Sequence, residues 1–175
     1  MHGSSGRQVH RAATQLTPGT VIRPLAGRGE AEQSARLMST SEPWLTLGRS
    51  YDACLALVLN PNKEVLVAAN GSSIDGFVII DLNGAFVGYL QTIGVRAEVR
   101  GQGVGTALIR AAEERIFQRG PNVFICVSAF NTDARRLYER LGYETVGTLK
   151  NYLVAGYDEI LLRKSISPWT GFEAR

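Results

Sequence analysis

Two cysteines in 175 residues are too few for a disulfide framework or a thiolate metal site. Both sit inside apolar runs, Cys54-Leu55-Ala56-Leu57-Val58 and Phe124-Ile125-Cys126-Val127, and read as buried thiols in a reducing compartment. No metal is expected. Apolar runs are broken by Asn, Asp or Gly well short of the ~20 residues a bilayer needs. Residues 1–18, with Gly, Ser, Arg, Gln and Thr, lack the apolar stretch of a secretory signal. A cytoplasmic protein without membrane contact is the expectation. Charge of one sign is also scarce: the net +3 is spread over scattered Lys and Arg with no basic stripe. That argues against nucleic acid and still suits a polyanionic ligand. There is no internal repeat and no low-complexity block.

What is present is enough apolar content, 45%, for one core of ordinary size. Residues 1–18 read as a flexible tail, 19–167 as a single domain and 168–175 as a second tail. Within the domain the pattern predicts a strand at Val21–Leu25, helices at Gly29–Thr40 and Leu47–Leu59, and strands at Glu64–Ala69, Ile74–Asp81 and Ala85–Val95. Asn60-Pro61-Asn62, Asn70-Gly71 and Asn83-Gly84 supply turns. A helix to Arg119, a strand over Asn122–Ser128, a helix after Asn131 and strands at Glu144–Tyr152 and Tyr157–Lys164 follow. Antiparallel strands joined by tight turns and followed by strand-helix units make an α/β fold, a mixed sheet with helices on both faces.

The segment with most chemical content is Arg100-Gly101-Gln102-Gly103-Val104-Gly105, where an apolar strand turns into a helix marked by Val104, Leu108, Ala112 and Ile116. First-turn N–H groups have no partner within a helix, the dipole adds roughly half a positive charge, and glycine lets backbone approach an anion. A pyrophosphate fits such a place. A dinucleotide fingerprint would need glycine where Thr106 stands, and a nucleotide-hydrolase loop would end in Gly-Lys-Ser/Thr. Neither matches.

The hexad resembles the R/Q-x-x-G-x-G/A signature of the GNAT superfamily of acyl-CoA-dependent N-acyltransferases. A second element, Asn131-Thr132-Asp133-Ala134-Arg135-Arg136-Leu137-Tyr138-Glu139-Arg140-Leu141-Gly142-Tyr143, resembles that superfamily's N-x-x-A-x-x-L-Y-x-x-x-G-F/Y motif. Read from the residues alone, Asn131 caps a helix, Ala134, Leu137, Tyr138 and Leu141 share one face, and Gly142 ends it.

The resemblance spans about residues 20–166. It implies a mostly antiparallel sheet of about seven strands, with the fourth and fifth splayed apart to admit the pantetheine arm of acetyl-CoA. Carried over residue by residue, it implies backbone pairing of the arm with Ile93 and Val95 and pyrophosphate binding along Arg100, Gly101, Gln102, Gly103, Val104, Gly105 and Thr106. It also implies cofactor contact from Asn131 and protonation of the departing thiolate by Tyr138. A phenol with a reference pKa of ~10 stays protonated at neutral pH and lies above the ~8.5 of a thiol; packing is the alternative role for Tyr138. Glu42 and Trp44, between the first two helices, together with Tyr89 and Tyr152, are the candidate acceptor contacts.

The chain departs from its relatives at the base. Peptide acetyltransferases of the ribosomal-protein alanine type, the branch it most resembles, carry a glutamate where Cys126 stands. Histone-acetylating relatives carry one where Tyr89 stands. Glu42, Asp52, Asp81, Glu98, Asp158 and Glu159 remain, each read as a solvated charge rather than a base. Deprotonating a lysine of pKa ~10.4 costs roughly 3.5 kcal/mol more than an α-amine of ~7.8, so a site without a base favours the α-amine. The expected activity is direct transfer of an acetyl group, in a ternary complex, to an amine of a small molecule, peptide or protein, by a monomer or homodimer. A CoA-binding module without catalysis, and an enzyme for lysine on one folded partner, stay open as alternatives.

Overall fold

The computed structural model describes residue 16, residues 18–84 and residues 86–173. Seven strands form one sheet in the order β1-β2-β3-β4-β5-β7-β6. They are β1 (Thr20–Pro24), β2 (Glu64–Asn70), β3 (Ser73–Asp81), β4 (Tyr89–Val95), β5 (Asn122–Ser128), β6 (Glu144–Val154) and β7 (Tyr157–Ser165). The helices are α1 (Gly27–Ser39), α2 (Tyr51–Val58), α3 (Val104–Phe117) and α4 (Thr132–Arg140), with a short 3-10 turn at Ala97–Val99. Neighbouring strands run antiparallel except β4 and β5, which are parallel. This is the mixed α/β sheet that the sequence pattern predicts.

Strand β3 is buried on both faces because each face has its own helical cover. Val78 and Ile80 pack with Leu108, Ala112 and Ile116 of α3, while Phe77 and Ile79 pack with Ala31, Ala35 and Met38 of α1. The predicted apolar stripe of α3 is the stripe that is buried. Leu16, which the sequence reading assigned to the tail, packs against the α3 core; residues 1–15 and 17 of that tail lie outside the described residues. Beyond β7, Trp169 stacks edge-on to Phe172 and covers Gly120, where a Cβ would meet its ring at 2.8 Å.

Two expected elements begin later than the pattern suggests. The second helix starts at Tyr51 rather than Leu47, because Gly48 adopts a left-handed φ of 63° and the Ser50 hydroxyl accepts the Ala53 N–H at 3.2 Å, capping a new helix. Residues 42–48 form turns instead. The fourth strand starts at Tyr89; Phe86, Val87 and Gly88 bend, and Ala85 lies outside the described residues. Gly88 sets that boundary with φ 89°, and a Cβ there would lie 2.4 Å from Ile116 Cγ2 and 2.5 Å from the Asn122 carbonyl oxygen.

That close approach pins β4 to β5 at one end: Phe124 N–H donates to the Gly88 carbonyl at 2.9 Å, and Tyr89 and Leu90 pair with Phe124 and Ile125. Pairing then stops. On the β3 side, Ile80 faces Leu90 and Ile79 faces Thr92, so Gln91 is an extra residue, a bulge that bends β4. From Thr92 to Val95 the strand keeps β3 and loses β5, and the sheet opens.

Candidate active site

A cavity of about 1000 Å³ lies in this opening. It is lined by Trp44, which packs with the α1 and α2 core, and by Tyr138, which packs with the α3 core. Because those cores cover opposite faces of the sheet, the cavity passes through the sheet where β4 and β5 part.

On the α3 side, β4 leaves through Arg96, whose N–H donates to the Asp75 carbonyl at 2.9 Å and whose guanidinium lies 3.4 Å from the buried Asp75 carboxylate. The loop then turns through Gly101 (φ 76°) and Gly103 (φ 83°), left-handed conformations that favour glycine. Gly103 is the N-cap of α3 and has no side chain to satisfy the first-turn N–H groups of Val104, Gly105 and Thr106. Those donors suit a pyrophosphate. A Cβ on Gly101 would meet nothing within 4 Å, so the loop surface is open to a large anion.

Of the residues expected to hold the cofactor, Ile93, Val95, Arg100, Gly101, Gly103, Gly105, Thr106 and Asn131 line the cavity. Gln102 is exposed outside its lining, with its side chain donating to the Glu98 carbonyl at 3.1 Å. Val104 buries its side chain in the core and offers only backbone. Arg100 Nε donates to the Val95 carbonyl at 3.1 Å, tying the loop to the open end of β4. Asn131 caps α4, accepting the Ala134 N–H at 3.3 Å.

Tyr138 is 3% exposed, and its ring meets Tyr143 edge-on with centroids 5.7 Å apart. Burial pushes its phenol well above the ordinary tyrosine range, so it holds its proton. Packing and lining the cavity are therefore not exclusive roles for this ring.

On the opposite side the turn segment carries Glu42 and Trp44, which line the cavity together with Tyr89 and Tyr152. The Tyr89 hydroxyl lies against Cys126, and burial raises the pKa of both the phenol and the thiol. The two positions without the expected acid thus hold a contacting pair that keeps its protons.

Six acids were candidates for the base, and the structure separates them. Asp52, Asp81, Glu98 and Asp158 are absent from the lining. Asp81 is paired with Lys63, Glu98 is exposed beside Arg96, and Asp158 accepts the Asn151 N–H at 3.1 Å. Glu42 lines the cavity but is exposed, and it accepts the Thr46 N–H at 3.2 Å. Glu159 does not fit the reading of a solvated charge. It is 2% exposed, lines the cavity and accepts the Ser128 hydroxyl at 2.6 Å. The alternation of β7 gives no signal for it, because Asp158 shares a strand face with Ile160 and Leu162 just as Glu159 does with Leu161. Ser128 and Gln91, whose Oε1 is buried without a partner among the described residues, are further cavity residues that sequence reasoning missed.

Residues 31–143 match the model of the acetyltransferase (GNAT) family. The chain is 29% identical over 153 residues to the N-alpha-acetyltransferase RimI of Mycobacterium tuberculosis, covering 85% of this chain and 92% of that protein. In fold it is similar to the ribosomal-protein-S18-alanine N-acetyltransferase of Escherichia coli, with a TM-score of 0.67 at 20% identity over 85% of this chain and 94% of that one. It is also similar to an aminoglycoside 6'-N-acetyltransferase complexed with coenzyme A, with a TM-score of 0.69 at 18% identity over 85% and 98%.

Proposed function

The chain belongs to the GNAT acetyltransferase family, and from that premise we propose that it moves an acetyl group from acetyl-CoA to a primary amine by direct transfer in a ternary complex. The acceptor is the α-amine of a peptide or protein, or a small amine. The activity is assigned to residues 19–167 and to the cytoplasm, whose reducing conditions suit the free thiols of Cys54 and Cys126.

One observation carries the reading: the unsatisfied donors at the start of α3 open onto the same cavity as Tyr138 and the unpaired edge of β4. Gly103, Val104, Gly105 and Thr106 hold the pyrophosphate with backbone N–H groups. Ile93 and Val95 offer main-chain groups to the extended arm, as a strand edge does to an added strand. A main-chain N–H near Ile93 stabilises negative charge on the carbonyl oxygen. Acetyl-CoA supplies an acyl group activated as a thioester with a thiolate to leave. Tyr138 gives the sulfur a proton or a hydrogen bond. The amine enters from the side of Glu42, Trp44, Tyr89 and Tyr152, with its nitrogen lone pair freed of a proton before attack.

The experiment is CoA release from acetyl-CoA over a panel of amines, peptides and cell lysate, with products identified by mass spectrometry. Mass increments of one acetyl group on amine nitrogens are expected. Tight CoA binding with no acetylated product in any pool would instead mark a CoA-binding module.

A further inference from the structure

Three acids are buried among the described residues: Asp75, Glu113 and Glu159. Asp75 has the Arg96 guanidinium at 3.4 Å and Glu113 has Lys164 Nζ at 2.7 Å. Glu159 has no cation within ion-pair distance among the described residues. Its Oε1 accepts the Ser128 hydroxyl at 2.6 Å, and Oε2 has no partner among the described residues. A buried carboxylate without a counter-ion is costly unless a cation joins it or it takes up a proton. This one faces the cavity where the acceptor enters.

The register shows why it faces there. Ser128 pairs with Glu159 and Val127 with Ile160 across β5 and β7. Val127 and Ile160 point into the α3 core, so their alternating neighbours Ser128 and Glu159, and Cys126 two residues before Ser128, face the opposite side. That is the side of Trp44 and Tyr89. We infer that Glu159 is the general base of this chain, taking a proton from the acceptor's ammonium group, and that Ser128 is the positioning residue that aims its carboxylate.

The inference rests on the acyl-transfer reading above and adds the group that makes the amine nucleophilic. In the step, an N–H bond of R–NH3+ breaks, the nitrogen keeps the electron pair as R–NH2, and the proton bonds to Glu159 Oε2, later passing to water. No other cavity group on that side serves as well. Tyr89 and Cys126 retain their protons at neutral pH, and Arg49 is already cationic. Tyr152 is an exposed phenol, Glu42 is exposed to water, and Asp158 on the far face of β7 is used by Asn151. Burial raises the Glu159 pKa, with the Ser128 hydrogen bond opposing it, which brings the carboxylate nearer the working range of a base.

The test uses the full chain with alanine amide as the amine probe. In carbon-13 spectra of protein labelled at glutamate carboxyl carbons, the signal removed by Glu159→Gln should titrate above the usual glutamate range. It should move down in pKa when alanine amide is added, since a neighbouring cation favours the carboxylate, and up in Ser128→Ala, where a hydrogen bond to the ionised form is lost. In steady-state CoA release from acetyl-CoA and alanine amide, kcat/KM should show an acidic limb at the same midpoint. Glu159→Gln should lower kcat/KM by ~100-fold or more and abolish the limb, while CoA affinity by calorimetry stays within about two-fold. A carboxyl signal indifferent to alanine amide, or a Glu159→Gln protein with wild-type rate and limb, overturns the assignment. Wild-type protein that binds CoA yet acetylates neither alanine amide nor any pool of the amine panel, while the carboxyl signal still responds, overturns the acyl-transfer reading and the base role with it.

Discussion

The Trp44 indole rests on Gly94 of β4. A Cβ added at Gly94 would lie 3.3 Å from Trp44 Cη2 and 2.7 Å from Phe77 Cε1, so only glycine lets the segment between α1 and α2 lie against the open strand. Gly94→Ala should cost about 1–3 kcal/mol of stability through overpacking. It should also raise the acceptor KM more than it changes CoA affinity, because Trp44 lines the side of the cavity proposed for the acceptor. Denaturant unfolding and two-substrate kinetics measure both effects, and an unchanged acceptor KM would separate Trp44 from acceptor binding.

Tyr138→Phe removes a phenolic proton and little packing, since the ring and its edge-on contact with Tyr143 remain. Maximal turnover should fall by about tenfold or more with CoA affinity within a few-fold, the pattern of an interaction made only in the transition state. Burial raises this phenol's pKa, so no basic limb belonging to Tyr138 should appear in the accessible pH range. Equal turnover in the two proteins would leave Tyr138 a packing residue.

Gly103 has φ 83°, a conformation a β-branched residue resists, and it stands where backbone meets the proposed pyrophosphate. Gly103→Val should weaken CoA binding by about tenfold or more, about 1.4 kcal/mol. Gly103→Asn tolerates the left-handed backbone and should fold normally while still crowding the anion. Calorimetry on folded protein decides: unchanged CoA affinity in both variants would remove the pyrophosphate from this loop.

The Glu159 carboxylate also makes stability depend on pH. Its folded-state pKa is raised by burial above that of the unfolded chain, so stability is fully present below the unfolded value and is lost as pH rises through the folded one. Glu159→Gln keeps an acceptor for Ser128 and carries no charge. Its melting temperature should therefore exceed that of wild type at neutral pH, with the two converging in acid. Thermal melts of both proteins from about pH 4 to 8 would show it; parallel curves would mean that the carboxyl is not destabilised by ionisation.

Glu42 and Asp81 serve as contrasts. Glu42→Gln loses an exposed charge at the mouth and should raise the KM for a cationic acceptor by only about two- to five-fold, without moving the acidic limb. Asp81→Asn breaks the pair with Lys63 away from the cavity, and the pH profile of kcat/KM should not change. A limb that follows either residue would show that the base lies elsewhere.

Much of this protein was legible along the chain because it depends on neighbours in sequence. Val104, Leu108, Ala112 and Ile116 stripe a helix whatever lies opposite, Asn131 caps the next one, and the glycines of the loop announce a backbone that must turn sharply before α3. The order of strands and helices follows from such local signals, and so do the residues gathered at the start of α3. The opening of the sheet does not. It needs Gly88 pressed against Ile116 and Asn122, and a bulge at Gln91 that exists only in the register between β3 and β4. Nor does the standing of Glu159: beside Asp158 in sequence it looks like one more surface charge, and only pairing with Ser128, 31 residues away, places it in the cavity. Local structure is set by torsions and short-range periodicity, which the sequence spells out. Burial, and with it the proton affinity of a side chain, is set by whatever distant segment covers it, and that is decided only when the sheet assembles.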